Sequence, residues 1–330
     1  MSTLKLKISR KTLLISGVFS LLMASCNSNL PIESMNYFFD TFVNIRLYNA
    51  KDENIKDIKK ILSLYDELTD NYKTSSSMNN VFKINETNNK IEISKEAYEM
   101  FSNLKTLENN FAPYFNPLIG NLSKLWKASL AKKEVLSQEI ISAELEKIQN
   151  SSYEITNENN RYFIQRNGEA QLDLGAFAKG YVLDKIFEYL NQNELNNYLI
   201  DAGNSSILLG EKPDNDGYFN VGLKDIPNSY LKLKNCFLGA SGVSEQGVII
   251  NNQMYSHIIN PVNGSAINNY DYVLVKGNNG ALCDALSTSF MLMDVESVKT
   301  YETRYNVEAI LYKNSKIIYR NNNLDIKARN

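Results

Sequence analysis

Gln171-Leu172-Asp173-Leu174-Gly175-Ala176-Phe177-Ala178-Lys179-Gly180-Tyr181 is the densest run of chemistry-bearing residues in the chain. Apolar residues bracket Asp173, a glycine follows, and Ala178, Val182, Ile186 and Leu190 then recur at helical spacing. The pattern predicts a strand, a tight turn, and a helix over Ala176–Leu190. Backbone amides near Gly175–Phe177 would stand at that helix start, a place suited to phosphate or another anion, and Lys179 adds charge one turn on. The same residues also read as an ordinary helix start, with Asp173 as its cap.

Glycines divide the rest of the chain around this run. Of 15, only Gly17 and Gly120 precede residue 168, and the other 13 fall between Gly168 and Gly280. Glycine marks tight turns and close backbone approach to ligands, so the C-terminal part is where a ligand would be cradled. Before it, helices are predicted at Asp52–Tyr72, from a cap at Ser94, and over Ser137–Asn150. After it come short strands (Phe42–Tyr48 earlier, then Tyr198–Asp201, Tyr218–Leu223, Val248–Ile250, Tyr255–Ile259 and Tyr272–Lys276), a helix at Ala281–Met293, and a hairpin from Val307–Tyr312 and Lys316–Tyr319. Strands and helices that alternate this way read as α/β or α+β. Asparagine is frequent throughout, which the sequence alone ties to base composition more than to function.

Several chemistries are excluded by what is missing. There is no dinucleotide glycine fingerprint, no P-loop and no nucleophile elbow. A lone histidine, His257, rules out sites needing two, which covers most protein zinc sites. What remains is oxygen chemistry, suited to a hard cation such as Mg²⁺. Asp284 and Thr288 stand four apart in a predicted helix, so both project from one face and could offer two oxygens to one cation; Ser287 reads as pointing off that face. An acidic residue near a helix start with a routine threonine is the plainer alternative. His257 precedes a Pro-, Asn- and Gly-rich turn and, beside Ser241 and Gly242, could line a pocket or serve the fold.

The N-terminus reads as a targeting segment. Lys5, Lys7, Arg10 and Lys11 precede an apolar run from Leu13 to Met23, too short to span a membrane comfortably. Met23-Ala24-Ser25-Cys26 resembles a bacterial lipobox, which makes residues 1–25 a signal peptide, Cys26 the lipidated N-terminus, residues 26–32 a tether, and residues 33–330 one catalytic unit. Diacylation would anchor the chain to the cell membrane, facing outside the cytoplasm. Removing residues 1–25 leaves 31 basic against 37 acidic residues, a net charge of −6. Such a surface offers no basic stripe for nucleic acid. Cys236 and Cys283 read either as a bridge or as two buried thiols.

Together these stretches resemble the ApbE family of FAD:protein FMN transferases. Asp40-Thr41 after Phe39, Tyr72 through Asn85, Phe115-Asn116-Pro117-Leu118-Ile119-Gly120 through Leu125-Trp126, residues 172–181, Asp201–Ser206, Ala240-Ser241-Gly242, Tyr255 through Gly264, and Asp284–Thr288 follow the family's order and spacing. The resemblance implies an α/β (α+β) fold with mixed sheets, a helical N-terminal half and a glycine-rich flavin- and metal-binding C-terminal half. It implies an FAD pocket lined by Phe39, Tyr72, Phe115, Asn116, Asp173, Lys179, Ser241, Gly242, His257 and Ile259. It also implies Mg²⁺ held by the carbonyl of Ala176, Asp284 and Thr288; some members carry an acidic residue at the Ser287 position for a second metal. The implied reaction moves FMN from FAD to a threonine or serine of an exported acceptor protein and releases AMP, with His257 the first reading for the base and Asp284 the second. FAD hydrolysis by the same site, or flavin capture by a non-catalytic lipoprotein, are the rival readings.

Overall fold

The computed structural model describes residues 30–244, 247–266 and 268–329; the leader and Cys26 lie outside them. The chain runs β1 (Ile32–Phe38), β2 (Thr41–Leu47), α1 (Asp52–Thr69), α2 (Val81–Asn85), β3 (Ile91–Ile93), α3 (Lys95–Phe111), a 3₁₀ turn (Pro117–Ile119), α4 (Gly120–Ala131), α5 (Gln138–Gln149), β4 (Ser152–Glu158) and β5 (Arg161–Asn167). It continues through α6 (Ala178–Gln192), β6 (Tyr198–Ala202), β7 (Ser206–Leu209), β8 (Phe219–Gly222), β9 (Ser229–Leu233), β10 (Cys236–Gly242), β11 (Val248–Ile250) and β12 (Gln253–Tyr255). It closes with β13 (Tyr272–Gly277), α7 (Gly280–Phe290), α8 (Val295–Tyr305), β14 (Glu308–Lys313), β15 (Lys316–Arg320) and β16 (Ile326–Ala328).

Eight strands form the central sheet in the order β1-β2-β6-β7-β10-β13-β14-β15. The α+β class is as expected, but where mixed sheets were implied, every strand pairing of this sheet is antiparallel. The cause is visible between β13 and β14. One helix between two strands would return the chain parallel, but α7 is followed by α8, which the sequence reading did not predict, and two helices reverse the chain twice. Alternation then sorts the side chains. Val273 and Val275 of β13 enter the main core beneath the helices, whereas Tyr272 and Leu274 enter a second core on the opposite face. The small sheet β16-β9-β8 covers that second face with Phe219, Val221, Leu231 and Leu233.

Other departures have local reasons. The tether was expected to reach residue 32, yet β1 begins there; its inward positions include Ser34 and Asn36, so no apolar period announces it. The expected strand over Tyr255–Ile259 ends at Tyr255, because Ser256 turns the chain by accepting the Ile258 amide at 3.0 Å. Asparagine has a structural use. Of the 15 non-glycine residues with positive φ among the described residues, ten are asparagines, including both central residues of the two-residue hairpins at Asn159-Asn160 and Asn251-Asn252. Cys236 and Cys283 are buried free thiols, which settles the earlier alternative.

Helices α6 and α7 pack at a glycine-to-glycine crossing. A Cβ on Gly180 would lie 2.1 Å from the Gly280 carbonyl oxygen, and one on Gly280 would lie 2.3 Å from the Gly180 oxygen. Backbone cannot yield as a side chain can, so Gly180→Ala should cost about 1–3 kcal/mol by overpacking. Urea unfolding should show a lower midpoint with an unchanged slope; an unaltered midpoint would mean the helices part freely.

Candidate active site

The run at 171–177 is held from three sides. The Gly120 amide donates to the Gln171 carbonyl and the Asp173 amide donates to the Pro117 carbonyl, both at 2.8 Å, so the 3₁₀ turn lies alongside Asp173. A Cβ at Gly120 would sit 2.7 Å from the Gln171 oxygen, which is why that turn needs glycine. From the other side, the buried Asn85 amide grips Leu172 twice, donating to its carbonyl at 2.9 Å and accepting from its amide at 2.7 Å. Arg166 donates to the carbonyls of Gly168, Ala170 and Asn85. These contacts bring Phe115 and Asn116 next to Asp173.

The turn itself corrects the anion reading. Asp173 Oδ1 accepts the Gly175 amide at 2.8 Å, and the Phe177 and Ala178 amides both go to the Leu174 carbonyl, so α6 starts only at Ala178. Asp173 therefore closes a local turn two residues on and is not the helix cap. Positive charge here comes from Lys179.

The opposite wall is α7 on β10. A Cβ at Gly239 would meet the Cys283 backbone at 2.3 Å, so the helix lies directly on the strand. That contact brings Ser241 Oγ to 2.9 Å from Ser287 Oγ and 3.2 Å from Thr288 Oγ1. The expectation that Ser287 points away is wrong: three residues apart on a helix also share a face, and Ser287 lines the cavity beside Asp284 and Thr288. Asp284 is buried, its Oδ2 accepting the Gly180 amide at 2.7 Å and its Oδ1 the Ser206 hydroxyl at 2.6 Å. Burial raises its pKa above the ordinary carboxylate value, partly offset by the charge of Lys179 and these two hydrogen bonds. Asp184, on α6, accepts the Gly280 and Ala281 amides that begin α7, at 2.6 and 2.9 Å. Burial pushes its pKa up to about 6.

The histidine loop is pinned from behind. The Trp126 indole donates to the Gly264 carbonyl at 2.8 Å and stacks on Tyr255. Ser256 and Ile258, on either side of His257, are buried, while His257 itself is exposed.

All of this surrounds one cavity of about 520 Å³. Tyr72, Phe115, Asn116, Asp173 and Lys179 line it from the helical side. Ser241, Gly242, His257 and Ile259 line it from the sheet side, with Ala176, Asp284 and Thr288. Phe39 is the exception. It sits in a left-handed turn with its amide on Asp66 Oδ1 at 2.6 Å, and its ring packs against the main core instead of lining the cavity. Residues that sequence reasoning did not single out are Lys127 in the lining, and Asn85, Asp184 and Ser206 behind it. Asn85 and Ser206 each end a quoted motif, a usable signal. Asp184 carried none, because its partner amide at Gly280 is 96 residues away.

The family model described as ApbE family matches residues 39–311. The chain belongs to the ApbE family. Among curated relatives it is similar to the FAD:protein FMN transferase of Chlamydia muridarum, 23% identical over 248 residues, covering 73% of this chain and 76% of the relative. It is also similar to that of Klebsiella pneumoniae, 25% identical over 285 residues, covering 83% and 87%. The ApbE protein of Thermotoga maritima superposes with a TM-score of 0.73 at 21% identity, covering 91% of this chain and 97% of that one. Flavin transferase ApbE from Vibrio cholerae gives 0.68 at 19%, with the same coverage. At these identities the structures establish a shared fold.

The buried carboxylate of Asp284 has a stability consequence. Its folded pKa lies above its unfolded value, so the native state holds the proton more tightly and stability falls as pH rises through the folded pKa. In Mg²⁺-free buffer, Asp284→Asn should therefore melt higher than the wild type at pH 7. The gain should shrink as pH falls, because the wild-type carboxyl is then neutral too. A variant that melts lower at pH 7 would mean the ionised carboxylate stabilises the fold.

Proposed function

We propose that this chain is an FAD:protein FMN transferase that acts from the outer face of a membrane. One observation supports it most: a single cavity gathers Asp173, Lys179, His257, Asp284 and Thr288 from three separate motifs, in a chain of the ApbE family. The curated relatives carry that activity in their names.

The donors suit Mg²⁺. Among the described residues no three His, Cys, Asp or Glu stand together; the cation would be held by the buried carboxylate of Asp284 with the hydroxyl of Thr288 and the carbonyl of Ala176, all in the cavity lining. An oxygen-only set with a single carboxylate is what Mg²⁺ takes when substrate phosphates and water complete its shell. A cation there would also relieve the unfavourable burial of Asp284. When bound, Mg²⁺ supplies charge neutralisation at the pyrophosphate.

The chain's own residues do the rest. Lys179 sets a positive charge on the cavity wall, and Phe115 and Ile259 give that wall apolar surface. A threonine or serine hydroxyl of an exported acceptor protein attacks the FMN-side phosphorus. The bond to the AMP oxygen breaks, AMP leaves with the electron pair, and the hydroxyl proton passes to the His257 imidazole. His257 is preferred to Asp284 as base because it is exposed on a pinned loop, whereas both oxygens of Asp284 are already engaged. The mature chain is anchored through acylated Cys26; no described helix is long and apolar enough to cross a membrane.

His257→Ala should lower turnover about 10²–10⁴-fold while FAD affinity changes far less. A large loss of FAD binding with normal turnover at saturation would make His257 a binding residue instead. Mass spectrometry should find FMN without AMP on one acceptor hydroxyl. Rapid AMP release from FAD and Mg²⁺ with no acceptor present would show an FAD pyrophosphatase. Cys26→Ser should leave the membrane fraction or stall uncleaved; membrane retention with a processed N-terminus would exclude the anchor.

A further inference from the structure

The outer face of the central sheet is covered by β8, β9 and β16 over its middle strands, and bare at β1 and β2. There the antiparallel register places Tyr37 opposite Phe42, Met35 opposite Asn44, and Glu33 opposite Arg46. Val43, Ile45 and Leu47 point into the main core, so these six residues share the outward face. Met35, Tyr37 and Phe42 are 68%, 60% and 59% exposed, and the two rings meet edge to face at 5.6 Å. β1 is also the terminal strand of the sheet. A bare edge strand with exposed apolar side chains invites a partner.

We propose that this face lies on the lipid surface, with Met35, Tyr37 and Phe42 set into the headgroup region. The inference rests on acylation of Cys26 and adds to it a fixed orientation. Cys26 precedes the start of β1 at Ile32 by six residues. Fully extended, that length reaches only roughly 20 Å, so β1 cannot leave the neighbourhood of the headgroups. Leu30, just ahead of the strand, is 66% exposed. The face suits an interface chemically. Tyrosine and methionine present apolar bodies with a polar or polarisable end, and the one acid on the face, Glu33, is neutralised by Arg46 at 2.6 Å. Within these six residues no carboxylate then stands unpaired towards anionic lipid. Resting on β1 and β2, the domain would be held in one orientation, where a long tether would let it tumble.

The test uses the lipidated full chain in vesicles of phosphatidylethanolamine and phosphatidylglycerol, without FAD. Hydroxyl-radical labelling is read residue by residue by mass spectrometry. Tyr37 and Tyr72 are 60% and 50% exposed, so a domain standing clear of the bilayer labels them alike. Tyr37 labelling at least fivefold below Tyr72, with Met35 and Phe42 protected in parallel, is the expected result. Equal labelling on vesicle-bound protein would overturn the proposal while leaving the anchor intact. Protection that disappears on dilution of the protein in excess lipid would assign the face to a second copy and also overturn it. A chain that does not float with the vesicles would refute the acylation of Cys26, and this inference with it.

Discussion

Gly180 and Gly280 meet backbone to backbone, and each of the two helices then completes the other. α6 lends its Gly180 amide to Asp284 on α7, and α7 lends its first two amides to Asp184 on α6. Hydrogen bonds to ionised groups contribute about 1.5–3 kcal/mol each, and these replace capping interactions that a buried helix start would otherwise lack. A side chain at either glycine would push the helices apart and break the pairing from both directions. The cavity depends on it, because Asp284 and Thr288 face the cavity only while α7 is held in this place against α6 and β10.

Such an arrangement is costly for the folded state. Asp284 lies near enough to raise the pKa of Asp184, and burial raises both. Two carboxylates kept in a poorly solvated place for the sake of one cavity are what a site looks like when function outranks stability. Lys179 offsets part of the charge.

The scaffold around this pair is ordinary by comparison. One antiparallel sheet separates a large helical core from a smaller one under β8, β9 and β16. Asn85 and Arg166 fasten the segment before Asp173, which forms no strand where the sequence predicted one, and Trp126 fastens the loop carrying His257. Motifs far apart in the chain thus share a wall, each held by backbone hydrogen bonds from a neighbouring motif. Ser206 shows how short the chain of support can be: the last residue of one motif bonds directly to the carboxylate of another.

Local pattern alone determined the helix at 52–69, the cap at Ser94, the helix at 178–192 and most of the strands, because apolar period and turn chemistry are properties of neighbouring residues. The motifs in their order and spacing also resembled the family to which the chain belongs. Tertiary structure alone decided that α7 and α8 reverse the chain twice and leave the sheet antiparallel, and that Ser287 faces the cavity. It alone placed Phe39 against the core, satisfied the amides at Gly175 and Phe177 within their own turn, and paired Asp184 with the start of α7. Each of these rests on which backbone lies against which across many intervening residues. A periodicity has no reach at that distance, whereas a hydrogen bond or a 2.1 Å glycine contact exists only once the chain has closed.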